Sequence, residues 1–240
     1  MELKELIAKR KSFRKYTDVP VDGATLEKIR DFWANAASIC PELAVHAEVI
    51  DRDKVRSIMT WLPPQVIAIY SEEGELDLEN VGFIFQQADL YIQSLGLGSC
   101  WVGLGRPKGA AVRNKAEDQK FVILLTVGHP AEELRNDLSQ FKRRSLSEIA
   151  DAPDEKLEPA RLAPSAVNSQ PWYFVHDGDI YHLYRTKPGL IKGRSLNEFN
   201  RMDVGIALAH LYVANQDSFR FWRGEHEEKD GLIYIGSFSL

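Results

Sequence analysis

The sequence predicts an α+β sandwich, because strand-like and helix-like segments are mixed along the chain without a regular βα alternation. Three observations carry that prediction. Two long segments, 78–96 and 197–216, have helical character. Two short apolar runs, 66–71 and 121–127, are bounded by turn signals and read as buried strands. Between 172 and 184 a hairpin is expected, turning at Asp177-Gly178.

The remaining elements follow in order. Residues 2–9 carry Leu3, Leu6 and Ile7 on one stripe, and residues 24–36 carry Leu26, Ile29, Trp33 and Ala36, so each predicts a helix. Gly96 closes the helix at 78–96 as a C-terminal cap. The strand at 121–127 ends in Gly128-His129-Pro130. Pro164 ends a helix, a polar turn follows, and a strand is entered at Pro171-Trp172. Segments 219–223 and 232–238 supply two closing strands.

Composition narrows the class. The chain has 240 residues, 44% of them apolar and 27% charged, enough for one large domain or two small ones with a substantial core. No apolar run approaches the roughly 18 residues of a membrane span, and the charged start Met-Glu-Leu-Lys-Glu-Leu is unlike a signal peptide. A membrane partner is therefore not expected. Cys40 and Cys100 form no disulfide framework, and the expected compartment is the cytoplasm. A net charge of −5 argues against a nucleic-acid partner. The six histidines are scattered, with no pair four residues apart on a helix, so no metal site is expected. Ser165 lacks the surrounding glycines of a nucleophile elbow.

A weak internal repeat runs through the chain. Asn80-Val81-Gly82-Phe83 can be laid on Asp203-Val204-Gly205-Ile206, a shift of 123. Arg10-Lys11-Ser12 likewise echoes Arg143-Arg144-Ser145, a shift of 133. The matches are short, so coincidence and duplication both stay open on these residues alone. Duplication would make one domain, 1–240, of two halves at about 1–141 and 142–240.

Four segments could carry chemistry. Arg10, Lys11, Ser12 and Arg14 lie just beyond a helix, and Lys142, Arg143 and Arg144 form a second basic cluster. Guanidinium forks suit phosphate, whereas solvated surface charge is the common alternative for such runs. Gly96-Leu97-Gly98-Ser99-Cys100-Trp101-Val102-Gly103-Leu104-Gly105 follows a helix and is no dinucleotide fingerprint. It is either a helix cap with its loop or a place where backbone must approach a ligand. The fourth segment is Ala163-Pro164-Ser165-Ala166-Val167-Asn168-Ser169-Gln170-Pro171-Trp172. Within it Asn168 and Gln170 suit either local turn bonds or ligand contact, and Trp172 suits the core.

That last segment resembles the Ala-Pro-Ser-x-x-Asn-x-Gln-Pro-Trp signature of the FMN-dependent nitroreductase family. The family carries it near the N-terminus, whereas here it lies about 150 residues after Arg10-Lys11-Ser12-Phe13-Arg14. The glycine-rich loop is similar to the family's Gly-Leu-Gly-Ser-x-Trp, and residues 128–144 resemble its Gly-Tyr-Pro turn and later Lys-x-Arg. The resemblance implies a nitroreductase-like fold of mixed sheets, flanking helices and a central pair of long helices. It implies FMN held by Arg10, Lys11, Ser12, Arg14, Val102, Gly103, Lys142, Arg144, Pro164, Ser165, Ala166 and Asn168. Val102 or Gly103 would offer its N–H to the flavin N5. NADH or NADPH would be the co-substrate, and a nitroaromatic, a quinone or another small electron-poor molecule the acceptor, by a ping-pong cycle that needs no catalytic side chain. A flavin-binding sensor or carrier without efficient turnover is the alternative.

The departures from the family pattern are complementary. Ala36-Ala37-Ser38-Ile39-Cys40-Pro41-Glu42 stands where the first half would carry the Pro-Ser motif, and Asn215-Gln216-Asp217 follows the second long helix in place of a glycine-rich loop. The expectation is a fused pseudo-dimer, a monomer with one composite site.

Overall fold

Two antiparallel four-stranded sheets organise the computed structural model of the protein, which describes residues 1–109, 119–187 and 194–240. By contact the chain divides into Met1–Asp77 with Gln87–Leu138, hereafter unit 1, and Leu78–Gln86 with Ser139–Leu240, unit 2.

Unit 1 opens with α1 (Leu3–Leu6) and α2 (Gly23–Ala34). The Asp22 carboxylate caps α2 by accepting from Thr25 N–H at 2.9 Å, and Leu26 and Ile29 are its buried residues. The helix expected over 2–9 is cut to one turn, because the chain leaves it to bury Arg10 against Asp89. The sheet contains β1 (Val45–Asp51), β3 (Gln65–Glu72), β6 (Gln119–Val127) and β4 (Trp101–Val102), in that order. Strand β3 is central, and its run Val66-Ile67-Ala68-Ile69 is fully buried, which is why its apolar residues are continuous and not alternating. A separate ribbon pairs β2 (Val55–Ser57) with β5 (Gly105–Pro107).

The long helix α3 (Asp77–Ser94) belongs to both units, Leu78–Gln86 to unit 2 and the remainder of its C-terminal half to unit 1. It ends in a double bond pattern, Leu97 N–H to Ile92 C=O and Gly96 N–H to Gln93 C=O. Gly96 takes φ +78° there, a left-handed conformation that glycine adopts without steric cost.

Unit 2 holds α4 (Leu146–Ile149), α5 (Glu158–Arg161) and the second sheet. That sheet orders β7 (Trp172–Asp177), β8 (Ile180–Thr186), β10 (Leu232–Ser239) and β9 (Arg220–Trp222). Phe174, Tyr181, Phe219 and Phe238 pack ring on ring in its core. The second long helix, α6 (Arg194–Ala214), meets the first half of α3 through glycines. A Cβ on Gly82 would strike the Met202 carbonyl, and one on Gly205 would strike the Glu79 carbonyl. The contact is reciprocal, since each glycine meets the residue three before the other's glycine. Beside it Arg201 forks onto Glu79 at 2.9 and 2.7 Å. Among the described residues no helix is long and apolar enough to cross a membrane, and no group of three metal-ligating side chains is placed to hold an ion.

Candidate functional site

In unit 1 the basic segment 10–14 and the glycine-rich loop are held together by the last turns of α3. Asp89 and Gln93, four residues apart, present polar groups on one face of the helix. Arg10, 1% exposed, donates its Nε to Asp89 at 3.1 Å and its Nη2 to the Ser12 hydroxyl at 3.3 Å. Ser99 donates its hydroxyl to the same carboxylate at 2.6 Å. The Gln93 amide brackets residue 11, accepting from Lys11 N–H at 3.0 Å and donating to Lys11 C=O at 3.1 Å. Phe13 N–H then donates to Ser99 C=O at 3.0 Å. Gly98 is required at this approach, because a Cβ would sit 3.0 Å from both the Phe13 and the Tyr16 rings.

The side chains of this segment divide into engaged and open ones. Arg10 is paired as described, and Lys11 pairs with Glu132 at 2.9 Å. Arg14 is exposed and lies over the Trp61 ring, 6.0 Å from its centroid. Burial pushes the Cys100 thiol above its ordinary pKa, partly offset by the Arg14 charge, so Cys100 stays a neutral thiol beside the segment.

Strand β4 settles the geometry of Val102 and Gly103. Gly98 and Gly128 exchange both backbone bonds, at 2.8 and 3.2 Å, and Thr126 N–H donates to Cys100 C=O at 2.9 Å. Antiparallel ladders alternate, so Val102, opposite Leu124, falls in the next bonding position and Gly103 does not. Val102 is buried and Gly103 is exposed.

Unit 2 joins the second basic cluster to the Pro-Ser segment just as closely. Arg143 donates to Asn168 Oδ1 at 2.7 Å and to Ala163 C=O at 2.9 Å. Asn168 returns a bond to Lys142 C=O at 2.8 Å. Gln170 accepts from Arg144 N–H at 2.8 Å, and its own N–H donates to the Ser165 hydroxyl at 2.9 Å. The backbone bends sharply to allow this. Val167, Asn168 and Gln170 take φ of +48°, +57° and +46°. For β-branched Val167, 85% exposed, that left-handed conformation is strained and no burial compensates for it.

Asp203 on α6 anchors the strained loop. Its buried carboxyl accepts from Ala166 N–H at 2.9 Å and lies 3.3 Å from the Ser169 hydroxyl. The Ser169 hydroxyl donates to Asn200 Oδ1 at 2.9 Å and makes the longer contact to the Asp203 carboxyl as donor. Desolvation pushes this carboxyl up to about 8, against the lowering effect of the hydrogen bonds it accepts from Ala166 and Ser169. Pro164 is buried, Ser165 and Ala166 are half-buried, and Lys142 and Arg144 are exposed.

The sequence-predicted residues thus gather as two sets. Arg10, Lys11, Ser12, Arg14, Val102 and Gly103 lie in unit 1, and Lys142, Arg144, Pro164, Ser165, Ala166 and Asn168 in unit 2. The residues that organise each set were not predicted as site residues. Asp89 and Gln93 had a signal, polar groups at helical spacing on a largely apolar helix. Asp203 stood in the repeat match, and Arg143 lay inside a cluster whose neighbours alone were assigned to the ligand.

The chain matches, over residues 2–215, the family model described as "Putative TM nitroreductase". No curated protein matches it significantly. Among solved structures it is similar to a "putative nitroreductase" from Thermotoga maritima, at TM-score 0.64 and 19% identity, covering 99% of this chain and 92% of that one. It is also similar to a nitroreductase family protein from Clostridium difficile, at TM-score 0.53 and 21% identity, covering 62% of this chain and 96% of that one. These likenesses concern the fold. The match over nearly the whole sequence decides the family, and the chain belongs to the nitroreductase family.

Proposed function

We propose that the chain is an FMN-dependent oxidoreductase that passes hydride from NADH or NADPH to a small electron-poor acceptor such as a nitroaromatic or a quinone. The observation that carries the reading is the loop 163–170. Three left-handed non-glycine residues are fixed there by Asp203, Arg143 and Gln170, and strain of this kind collects where a ligand must be met.

The donors present suit a flavin nucleotide. Arg14, Lys142 and Arg144 are exposed cations, adequate for the dianionic phosphate. Ser12 adds a hydroxyl, and Gly103 is the better of the two residues expected to offer an N–H, because the ladder position of Val102 uses its own. Arg10 and Lys11 already meet carboxylates, so in this reading they hold the segment in place while Ser12 and Arg14 touch the nucleotide. Pro164, Ser165 and Ala166 are small enough to lie against the ring, with Asn168 beside them. When bound, FMN supplies the hydride chemistry, and the chain supplies position and charge.

The reading extends to one FMN per chain in a monomer whose halves are diverged copies. Support comes from the reciprocal contacts of Gly82 and Gly205, which obey the same shift of 123 as the sequence match. Anaerobic addition of NADH or NADPH to the FMN-loaded protein should bleach the flavin, and a quinone or nitroaromatic should restore its colour. A protein that binds FMN but is not bleached is a carrier or sensor, and a colourless one without FMN affinity ends the flavin reading.

A further inference from the structure

The β2–β5 ribbon carries a charge arrangement that the flavin contacts do not use. Its register sets Val55 opposite Pro107, Arg56 opposite Arg106 and Ser57 opposite Gly105. Directly opposed residues of an antiparallel pair share a face, with Cβ atoms about 4.5–5.5 Å apart, and like charges so placed repel. Val55 and Pro107 are buried, whereas both arginines are exposed on the other face. Asp51 pairs with Lys54 at 3.4 Å and Asp18 with Arg52 at 2.9 Å. Among the described residues neither the Arg56 nor the Arg106 guanidinium has a hydrogen-bond or ion-pair partner. Two open guanidinium forks on so short a ribbon are an unsatisfied binding element for an anion with several acceptor oxygens.

The ribbon also changes character along its length. At its other end Ile58 is 74% exposed and Leu104 is 59% exposed. The Ser57 hydroxyl, donating to Leu104 C=O at 2.8 Å, holds this apolar lip together. Leu104 directly follows Gly103. A strand advances about 3.4 Å per residue, so the Arg106 backbone lies within about 10 Å of Gly103 even at full extension. An apolar lip beside Gly103, with a cationic pair within reach, matches a molecule with a planar uncharged head and an anionic tail.

We propose that Arg56 and Arg106 clamp a phosphate of the nicotinamide dinucleotide, with Ile58 and Leu104 flanking its ring end. The identity of this ligand rests on the oxidoreductase reading above, while the anion site rests on the ribbon. Two phosphates share the chemistry: the diphosphate common to NADH and NADPH, and the 2′-phosphate of NADPH.

Calorimetric titration of the full chain tests the clamp without turnover. The probes are ADP, which carries a diphosphate, and adenosine 2′,5′-bisphosphate, which carries the 2′-phosphate. The probe that binds should lose about tenfold in affinity in Arg56→Gln and again in Arg106→Gln, with the fold intact by circular dichroism. Loss for the bisphosphate alone assigns the 2′-phosphate, and loss for ADP, with or without loss for the bisphosphate, assigns the diphosphate, whose adenosine-side phosphate both probes carry. Absence of binding by either probe, or affinities within twofold of the parent in both variants, overturns the clamp. Flavin content is measured on the same samples. A yellow protein with an unaffected probe affinity loses only the clamp, and a colourless protein that binds the probe through these arginines loses only the flavin reading.

Discussion

Unit 1 and unit 2 have the same connectivity and different endings. In each, two paired strands lead to a long helix, then a short strand, then a long one, and the sheet order is first, second, fourth, third. In each, the pairing of the second strand with the fourth is interrupted by a register shift, at Ile69/Tyr70 and at Tyr234/Gly236. After α3, however, the chain enters the glycine-rich loop, whereas after α6 it turns at Asn215, whose carbonyl accepts from Phe219 N–H at 2.8 Å. The buried carboxylates differ as well. Asp89 organises unit 1, while the matching position on α6 is Tyr212, packed on Phe83 and Phe219. Asp203 organises unit 2, and its match on α3 is Asn80. Framework packing is common to both units, and the polar frames that hold loops are each present once.

The largest expected effect comes from breaking the unit 1 frame. Arg10→Met strands the Asp89 charge in the interior and should cost about 3–5 kcal/mol in urea unfolding. Arg201→Met should cost clearly less, because Arg201 is partly exposed and water can reach its side of the Glu79 pair. Equal losses would mean that the two ion pairs do not differ in burial as described.

The helix crossing comes next. By helix propensity alone Gly82→Ala and Gly205→Ala would each stabilise by about 1 kcal/mol. The carbonyl clash reverses the sign, and each should destabilise by about 3 kcal/mol, to a similar degree because the contact is reciprocal. A gain in melting temperature for either variant would contradict the crossing.

Asp203 sharpens the comparison through pH. Its carboxyl ionises near 8 in the folded chain and near the ordinary carboxylate value when unfolded. The folded state therefore holds the extra proton between about pH 4 and 8, and stability from this group falls as pH rises through that window. The slope is at most about 1.4 kcal/mol per pH unit. Asp203→Asn keeps an acceptor for Ala166 N–H and has nothing to titrate, so its stability should be flatter from pH 5 to 8. Parallel curves for parent and variant would remove the protonated carboxyl from the account.

Much of this framework is legible from residue pattern because long helices and buried strands write their periodicity locally. Strands β3 and β6, helices α3 and α6, the hairpin with Gly178 at φ +60° and the Gly96 cap lie where the pattern puts them. Strand β1 escaped notice because it is an edge strand of mostly half-buried residues. The two- and three-residue strands β4, β2 and β5 exist only through distant partners, which no local window contains. The site was legible as segments and illegible as frames. Arg10 reads as a free charge until its partner 79 residues away is known. Asp203 reads as a surface acid on a helix until its burial is known.

The flavin count of the protein tests the central claim most directly. Protein saturated with FMN and freed of excess should release, on denaturation, about one FMN per chain, from a species that sediments as a monomer. Two FMN per chain, or a full site formed only when separate chains associate, would contradict the proposal of one flavin site per chain.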